Sequence, residues 1–257
     1  MEFLSRTLRR LRLSMLMAAA VPLSVQLHAE TFTSEASQAE LVELYTSQGC
    51  SSCPPAEAWL SRWKDNPELW KKVVPVAWHV TYWNYLGWPD DFSQSRYDKR
   101  QQYYKQLGYS RSVYTPEFIV NGREWRGWFQ REALPVSEKS VGILTATTDN
   151  GRFKVDFVPQ DTDADDYRLY VAVMGQDIVS DVKRGENAGK QLKHDFVVLD
   201  YKMFAPLKHS PINGKYLWQG DLTTMKNAAD NKAIAFWVTR GTDPTPVQAT
   251  GGVLDVN

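Results

Sequence analysis

Cys50 and Cys53 are the two cysteines of the 257-residue chain, and they stand in a C-x-x-C spacing within Tyr45–Pro55, YTSQGCSSCPP. Three chemistries are open to such a pair: thiol–disulfide exchange, coordination of a soft metal such as Cu(I), or service as a short covalent staple. An apolar run, Leu41–Tyr45, leads through Gly49 into Cys50, and Pro54-Pro55 open an amphipathic stretch, Ala56–Lys64, with Trp59, Leu60 and Trp63 on one face. Proline suits a first helical turn, where its missing N–H is not needed. The spacing therefore predicts Cys50 at or just before a helix N-terminus, where unpaired N–H groups and the macrodipole favour a thiolate. Cys53 is then the resolving thiol. A disulfide here closes so short a loop that chain entropy yields about 2 kcal/mol, against about 3 for a 15-residue loop. That weighs for exchange chemistry over a staple.

The elements that must position this pair follow in the sequence. Val73–Val80, VVPVAWHV, reads as a buried central strand despite Pro75, and it delivers His79 into the aromatic segment HVTYWNYLGW with Tyr82, Trp83, Tyr85 and Trp88. Eight of the ten tryptophans fall between Trp59 and Trp128, so aromatic surface is concentrated in this half. Such a cluster either lines a substrate groove or covers the sheet. Phe92–Leu107 reads as a helix ending at Gly108, and Thr115-Pro116 precedes a strand at Glu117–Val120. Asn121-Gly122 is a strong hairpin signal, with the returning strand at Arg123–Gly127 and a closing helix expected over Phe129–Lys139.

Ahead of these elements, Arg6, Arg9, Arg10 and Arg12 form a basic n-region, Leu13–Val25 an apolar h-region, and LHA at 27–29 a small-residue cleavage site. The apolar run is short of the roughly 20 residues of a membrane span. Residues 1–29 are thus expected to be a signal peptide, making the protein periplasmic or secreted, without stable membrane insertion after cleavage. Removing them leaves 26 basic and 29 acidic side chains, a net charge of about −3, which favours neither nucleic acid nor an anionic membrane.

The order strand, C-x-x-C, helix, strand, helix, Thr-Pro, hairpin, helix resembles the thioredoxin superfamily, and YTSQGCSSC resembles the glutaredoxin style of its active site. The resemblance implies that Pro116 is cis and lies beside Cys50, with the Thr115 backbone offered to a bound peptide; Trp83 and Tyr82 of the aromatic segment are the candidates to line a substrate groove. ELYTSQGCSSCPPAE, HVTYWNYLGW, YTPEFIVNG and RGENAGKQL are together similar to an exported bacterial thioredoxin-like family catalogued as domain of unknown function 1223. Members of that family often carry acids where this chain has Thr81 and Asn84. Thioredoxins also keep a buried acid six residues ahead of the first cysteine. Leu44 occupies that place here, and Glu43 sits one residue off, on the opposite face of an unbulged strand.

The second half changes texture. Val141–Thr148, Arg152–Val158, Tyr167–Met174, Phe196–Tyr201, Ala233–Thr239 and Gly252–Val256 read as strands, with turns at Asn150-Gly151 and Asn213-Gly214. The fold class expected is an α/β thioredoxin-like domain, residues 38–139, followed by an all-β antiparallel sandwich-like domain, residues 140–257. Between two of the later strands, RGENAGKQLKHD holds Glu186, Asn187, His194 and Asp195. This polar loop either brackets the dithiol groove or is simply solvated.

His79, His194 and His209 show no metal-ligand spacing. Neither a cofactor nor a metal-ligating set is expected. His79, at the end of the central strand, and Glu43 are candidates for proton transfer to the dithiol, although a core histidine held by a backbone hydrogen bond is commoner. Three functions fit the sequence. The first is an extracytoplasmic thiol–disulfide oxidoreductase in which Cys50 and Cys53 act on protein or small-molecule thiols and disulfides and are recycled by a redox partner. The second is a soft-metal (copper) handling protein, and the third a non-catalytic protein-binding module.

Overall fold

The computed structural model describes residues 29–161, 166–207, 214–225 and 229–254. The expected signal peptide, residues 1–29, lies outside them except for Ala29, as does Asn213 of the second expected turn.

The chain begins with β1, Glu30–Thr33, and then runs into β2, Glu40–Thr46, which is buried along its whole length. The cysteines follow, and α1 occupies Pro54–Ser61, continuing as a 3₁₀ turn over Arg62–Asp65. Next come β3, Val73–His79, and α2, Ser95–Gln106. β4, Glu117–Val120, returns through Asn121-Gly122 into β5, Arg123–Glu124. Both turn residues have positive φ, 45° and 78°, as a type I′ hairpin requires. The closing helix expected over Phe129–Lys139 is instead one turn, α3, at Gly127–Gln130. Arg131 adopts a left-handed conformation at its end, and Pro135 lies in the irregular segment beyond it.

The remaining elements are strands: β6, Gly142–Asp149; β7, Arg152–Pro159; β8, Tyr167–Gln176; β9, Ile178–Asp181; β10, Gln191–His194; β11, Val197–Phe204; β12, Tyr216–Asp221; β13, Asn231–Arg240; and β14, Pro246–Leu254. β6 and β7 meet at Asn150-Gly151, again with both φ angles positive.

The expected fold class is overturned. Strand makes up 45% of the structure and helix 15%. A helix-rich α/β domain does not stand apart from an all-β one: among the described residues an eight-stranded mixed sheet runs β14-β13-β8-β11-β3-β2-β4-β5. The junction is β11, which lies parallel to β3, with the Ala77 amide donating to the Phe196 carbonyl at 2.8 Å. An antiparallel sheet, β1-β6-β7-β12, faces the far end of the large one.

Alternation along β13 explains how one strand serves two cores. Ala233, Ala235 and Trp237 join the core shared with α1 and α2, and Ile234, Phe236 and Val238 join Phe153, Val155 and Phe157 of the second sheet. The sequence pattern of two halves is real as texture, but burial of both faces of β8 and β13 fuses them. No helix among the described residues is long and apolar enough to cross a membrane.

Candidate functional site

Cys50 and Cys53 form a disulfide, with Cα atoms 5.5 Å apart, and both residues are fully buried. The turn into Cys50 is tied by its amide donating to the Ser47 carbonyl at 3.1 Å. Gly49 packs closely on the aromatic segment: a β-carbon there would lie 3.0 Å from Cβ of Trp83. Cys53, rather than Cys50, is the N-cap of α1, and Pro54 and Pro55 open the helix. The Cys53 carbonyl accepts the amides of Ala56 and Glu57 at 2.9 and 3.1 Å. Ser51 and Ser52 between the cysteines are exposed.

The segment after β9 covers this turn. Asn187 is completely buried and donates its side-chain amide to the carbonyls of Gln48 and Cys50, both at 2.9 Å. Glu186 accepts the Ser51 amide at 2.9 Å, and hydrogen bonds from the Ser51 side chain and amide lower its pKa. Gln48 is held in turn by Trp88, whose indole N–H donates to it at 2.7 Å, and by its own bond to Ser180 Oγ at 2.9 Å. The polar loop therefore brackets the cysteines through specific hydrogen bonds.

On another side, the Thr115–Pro116 peptide bond is cis, and Trp83 Nε1 donates to Thr115 Oγ1 at 2.7 Å. Tyr82 donates to Gln101 Oε1 at 3.2 Å, and burial raises its pKa. Trp83 thus links the C-x-x-C turn, through Gly49, to Thr115. An open groove of about 740 Å³ begins at Pro55 and is lined by Trp59, Arg62, Trp128, Phe129, Arg131 and Glu132. Other tryptophans serve packing, as Trp78 does between Tyr97 and Trp237.

The two residues expected to transfer protons lie on different faces of the sheet. Glu43 points toward α2, where Arg100 holds it with Nε at 2.7 Å and Nη2 at 3.0 Å, joined by Trp78 Nε1 at 2.9 Å and Tyr104 Oη. His79 is paired in register with Thr46, so both side chains project toward α1. His79 Nδ1 lies 2.7 Å from Asp90 Oδ2, a carboxylate that also accepts the Gln48 amide at 2.8 Å.

Beside His79, at a ring separation of 5.2 Å, is His194 from the end of β10, a residue brought in from the other half of the chain. Its Nδ1 is bonded to Glu57 Oε2, and Thr46 Oγ1 donates to Glu57 Oε1. Burial works against charge throughout this group. It depresses the His79 pKa, but the charge and hydrogen bond of Asp90, with Glu57 beyond, raise it on balance. Burial likewise raises Glu57 and Asp90, yet their histidine partners bring both below the ordinary carboxylate range.

Glu57 and Asp90 were not legible as site residues. Glu57 has the weak signal of standing four residues after Cys53, so that one helical turn separates them. Asp90 has no sequence signal, because a loop brings it back under His79.

Fold and site together define a mixed-sheet protein whose buried C-x-x-C disulfide is clasped by a loop from its second half. Residues 41–239 match the family described as protein of unknown function (DUF1223), and the chain belongs to that family. No curated protein matches the sequence significantly. In fold the chain is similar to a protein of Agrobacterium tumefaciens known from an X-ray crystal structure. That likeness has 23% identity and a TM-score of 0.62, covering 85% of this chain and 96% of that one. It is also similar to HBP35 of Porphyromonas gingivalis, at 13% identity and a TM-score of 0.55, covering 85% of this chain and 76% of that one.

Proposed function

We propose that this protein is an extracytoplasmic thiol–disulfide oxidoreductase, exported by residues 1–29 and acting through Cys50 and Cys53 on protein or small-molecule thiols. The observation that carries the reading is the disulfide itself, closed at the start of α1 within the turn that Trp83 joins to Thr115. So short a covalent loop contributes little to stability, about 2 kcal/mol.

In the oxidising direction a substrate thiolate attacks Cys50 Sγ. The Cys50–Cys53 bond breaks, Cys53 leaves as a thiolate and takes up a proton, and a mixed disulfide joins substrate to Cys50. A second substrate thiolate attacks the substrate sulfur of that bond, releasing an oxidised substrate disulfide and the Cys50 thiolate. Two electrons have passed to the protein, and the redox partner removes them. Reduction of a substrate disulfide is the same sequence reversed. The groove that begins at Pro55 offers tryptophans and arginines to an incoming chain, and Thr115, Trp83 and Tyr82 are further candidates to receive it. Because both cysteines are buried, exchange requires the segment carrying Glu186 and Asn187 to lift from the turn.

Alkylation trapping across a glutathione series measures the potential of the pair. Reversible cycling, with turnover of a disulfide substrate abolished in Cys50→Ser and only altered in Cys53→Ser, is the expected result. Failure of the pair to cycle under any poise removes the enzymatic reading.

A further inference from the structure

The buried pair of histidines is better built than a proton relay requires. Each imidazole meets a carboxylate through Nδ1, His79 with Asp90 and His194 with Glu57, and a carboxylate accepts, so Nδ1 is the donor in both pairs. Both Nε2 atoms are then left over. Each is buried, and neither has a hydrogen-bond partner among the described residues. Two orphaned ring nitrogens in one place are exceptional, since buried polar atoms are nearly always paired. Donation of Nδ1–H to a carboxylate, with Nε2 free, is the arrangement by which histidine ligates metals, the carboxylate fixing the tautomer and strengthening the donor.

Charge leads to the same conclusion. Asp90 and Glu57 bring two carboxyl groups into one buried cluster, and a divalent cation would balance their charge. The two rings lie 5.2 Å apart with both Nε2 atoms unsatisfied, where one cation would serve both. Donor atoms of Glu57, His79 and His194 lie within 4.8 Å of one another. Glu57 is engaged by Thr46 and by Nδ1 of His194, so it orients that ring and leaves Nε2 free.

We propose that His79 and His194, backed by Asp90 and Glu57, form a binding site for a divalent first-row transition metal, with Zn²⁺ as the redox-silent occupant. The two Nε2 atoms are the protein ligands, Asp90 positions His79, Glu57 positions His194, and waters complete the coordination. Donors about 3.4 Å apart suit an ion with bonds near 2.1 Å, so loading draws the two imidazoles together. The site contains no sulfur and is independent of the redox reading. It ties β3, α1 and β10, and through β10 it anchors the hairpin whose loop covers the cysteines.

The test uses the full protein with its disulfide intact, stripped with a chelator and titrated with ZnCl₂ in calorimetry, with CoCl₂ as a spectroscopic probe. One equivalent should bind, with visible d–d bands for Co²⁺. Affinity should fall more than about 100-fold in His79→Ala or His194→Ala, and about 10- to 100-fold in Asp90→Asn. The Cys50→Ser/Cys53→Ser variant should bind as tightly as the parent. Absence of saturable binding overturns the proposal, as does binding that survives loss of both histidines or vanishes with the cysteines. Should the histidine variants not fold, imidazole ¹⁵N spectra of the parent decide. Zn²⁺ should shift two Nε2 resonances and leave the attached Nδ1 protons in place, and unmoved Nε2 resonances refute the site.

Discussion

On the α2 side of β2, Glu43 is met by Arg100, Trp78 and Tyr104. On the α1 side, Glu57 and Asp90 are met by two histidines, each with a ring nitrogen to spare. Both groups are buried and ionic, and the same strand separates them. The first is closed. The Arg100 guanidinium lies 5.2 Å from the Trp78 ring and 5.6 Å from that of Trp237, so its charge is enclosed by aromatic faces as well as by the carboxylate. Burial would depress its pKa, but Glu43 drives it further up, and no titration occurs in the range where proteins fold. The second group is open in the chemical sense. Saturation marks a structural ion pair, and orphaned nitrogens mark a place that expects a ligand.

The largest effect should come from breaking the closed group on one side only. Arg100→Met strands the Glu43 carboxylate in the core and should cost about 3–5 kcal/mol, read as a lower midpoint in urea unfolding. Replacing both partners, Glu43→Leu with Arg100→Met, should recover most of that loss, because the paired ions bring little net stability over apolar residues. A double variant as unstable as the single one would mean that Glu43 has a role beyond pairing.

A further carboxylate gives the comparison a pH axis. Glu117 stands opposite Tyr45 in the sheet, hydrogen-bonded by Gln101 and Ser110, and burial outweighs those bonds to raise its pKa to about 7. The folded protein therefore keeps this proton to about pH 7, whereas the unfolded chain loses it near 4.5. Its contribution is fully present below pH 4.5 and is lost as pH rises to 7, a decline of about 3 kcal/mol. Glu117→Gln should flatten that part of the stability profile, measured as unfolding free energy from pH 4.5 to 8. An unchanged slope would show that the carboxyl ionises normally.

How far the sequence reaches differs between the two sides. Cys50, Cys53, the cis Pro116 and the Asn121-Gly122 hairpin are set by local spacing, by turn chemistry or by a family resemblance confined to short segments, and each could be read in advance. Glu43 could be placed on the face away from the dithiol by alternation alone. The joining of β11 to β3 could not be read, because a sheet edge is chosen by long-range pairing and β11 carries the same apolar pattern as any covered strand. That joining is what brings in β10, so His194 meets His79 across more than a hundred residues with no motif to announce it. β9 and β10, four residues each, were too short to register as periodic runs. The loop RGENAGKQLKHD was legible as a candidate, but its partner was not, since the atoms that Asn187 grips are backbone carbonyls.

The smallest predicted effect concerns that grip. Asn187→Ala removes two hydrogen bonds to the carbonyls of Gln48 and Cys50 and leaves those acceptors inside the cover, at a cost of about 1–3 kcal/mol to the closed arrangement. The loss falls on local opening, so global unfolding by urea should move less than the opening does. Reduction of the disulfide by a small thiol, which must wait for the cover to lift, should accelerate about tenfold for each 1.4 kcal/mol lost. Glu186→Gln keeps an acceptor for the Ser51 amide at an exposed position and should change the rate little. If both substitutions leave reduction unchanged, the cysteines are reached by a route that bypasses the loop, and the burial of Cys50 is then a property of the turn alone.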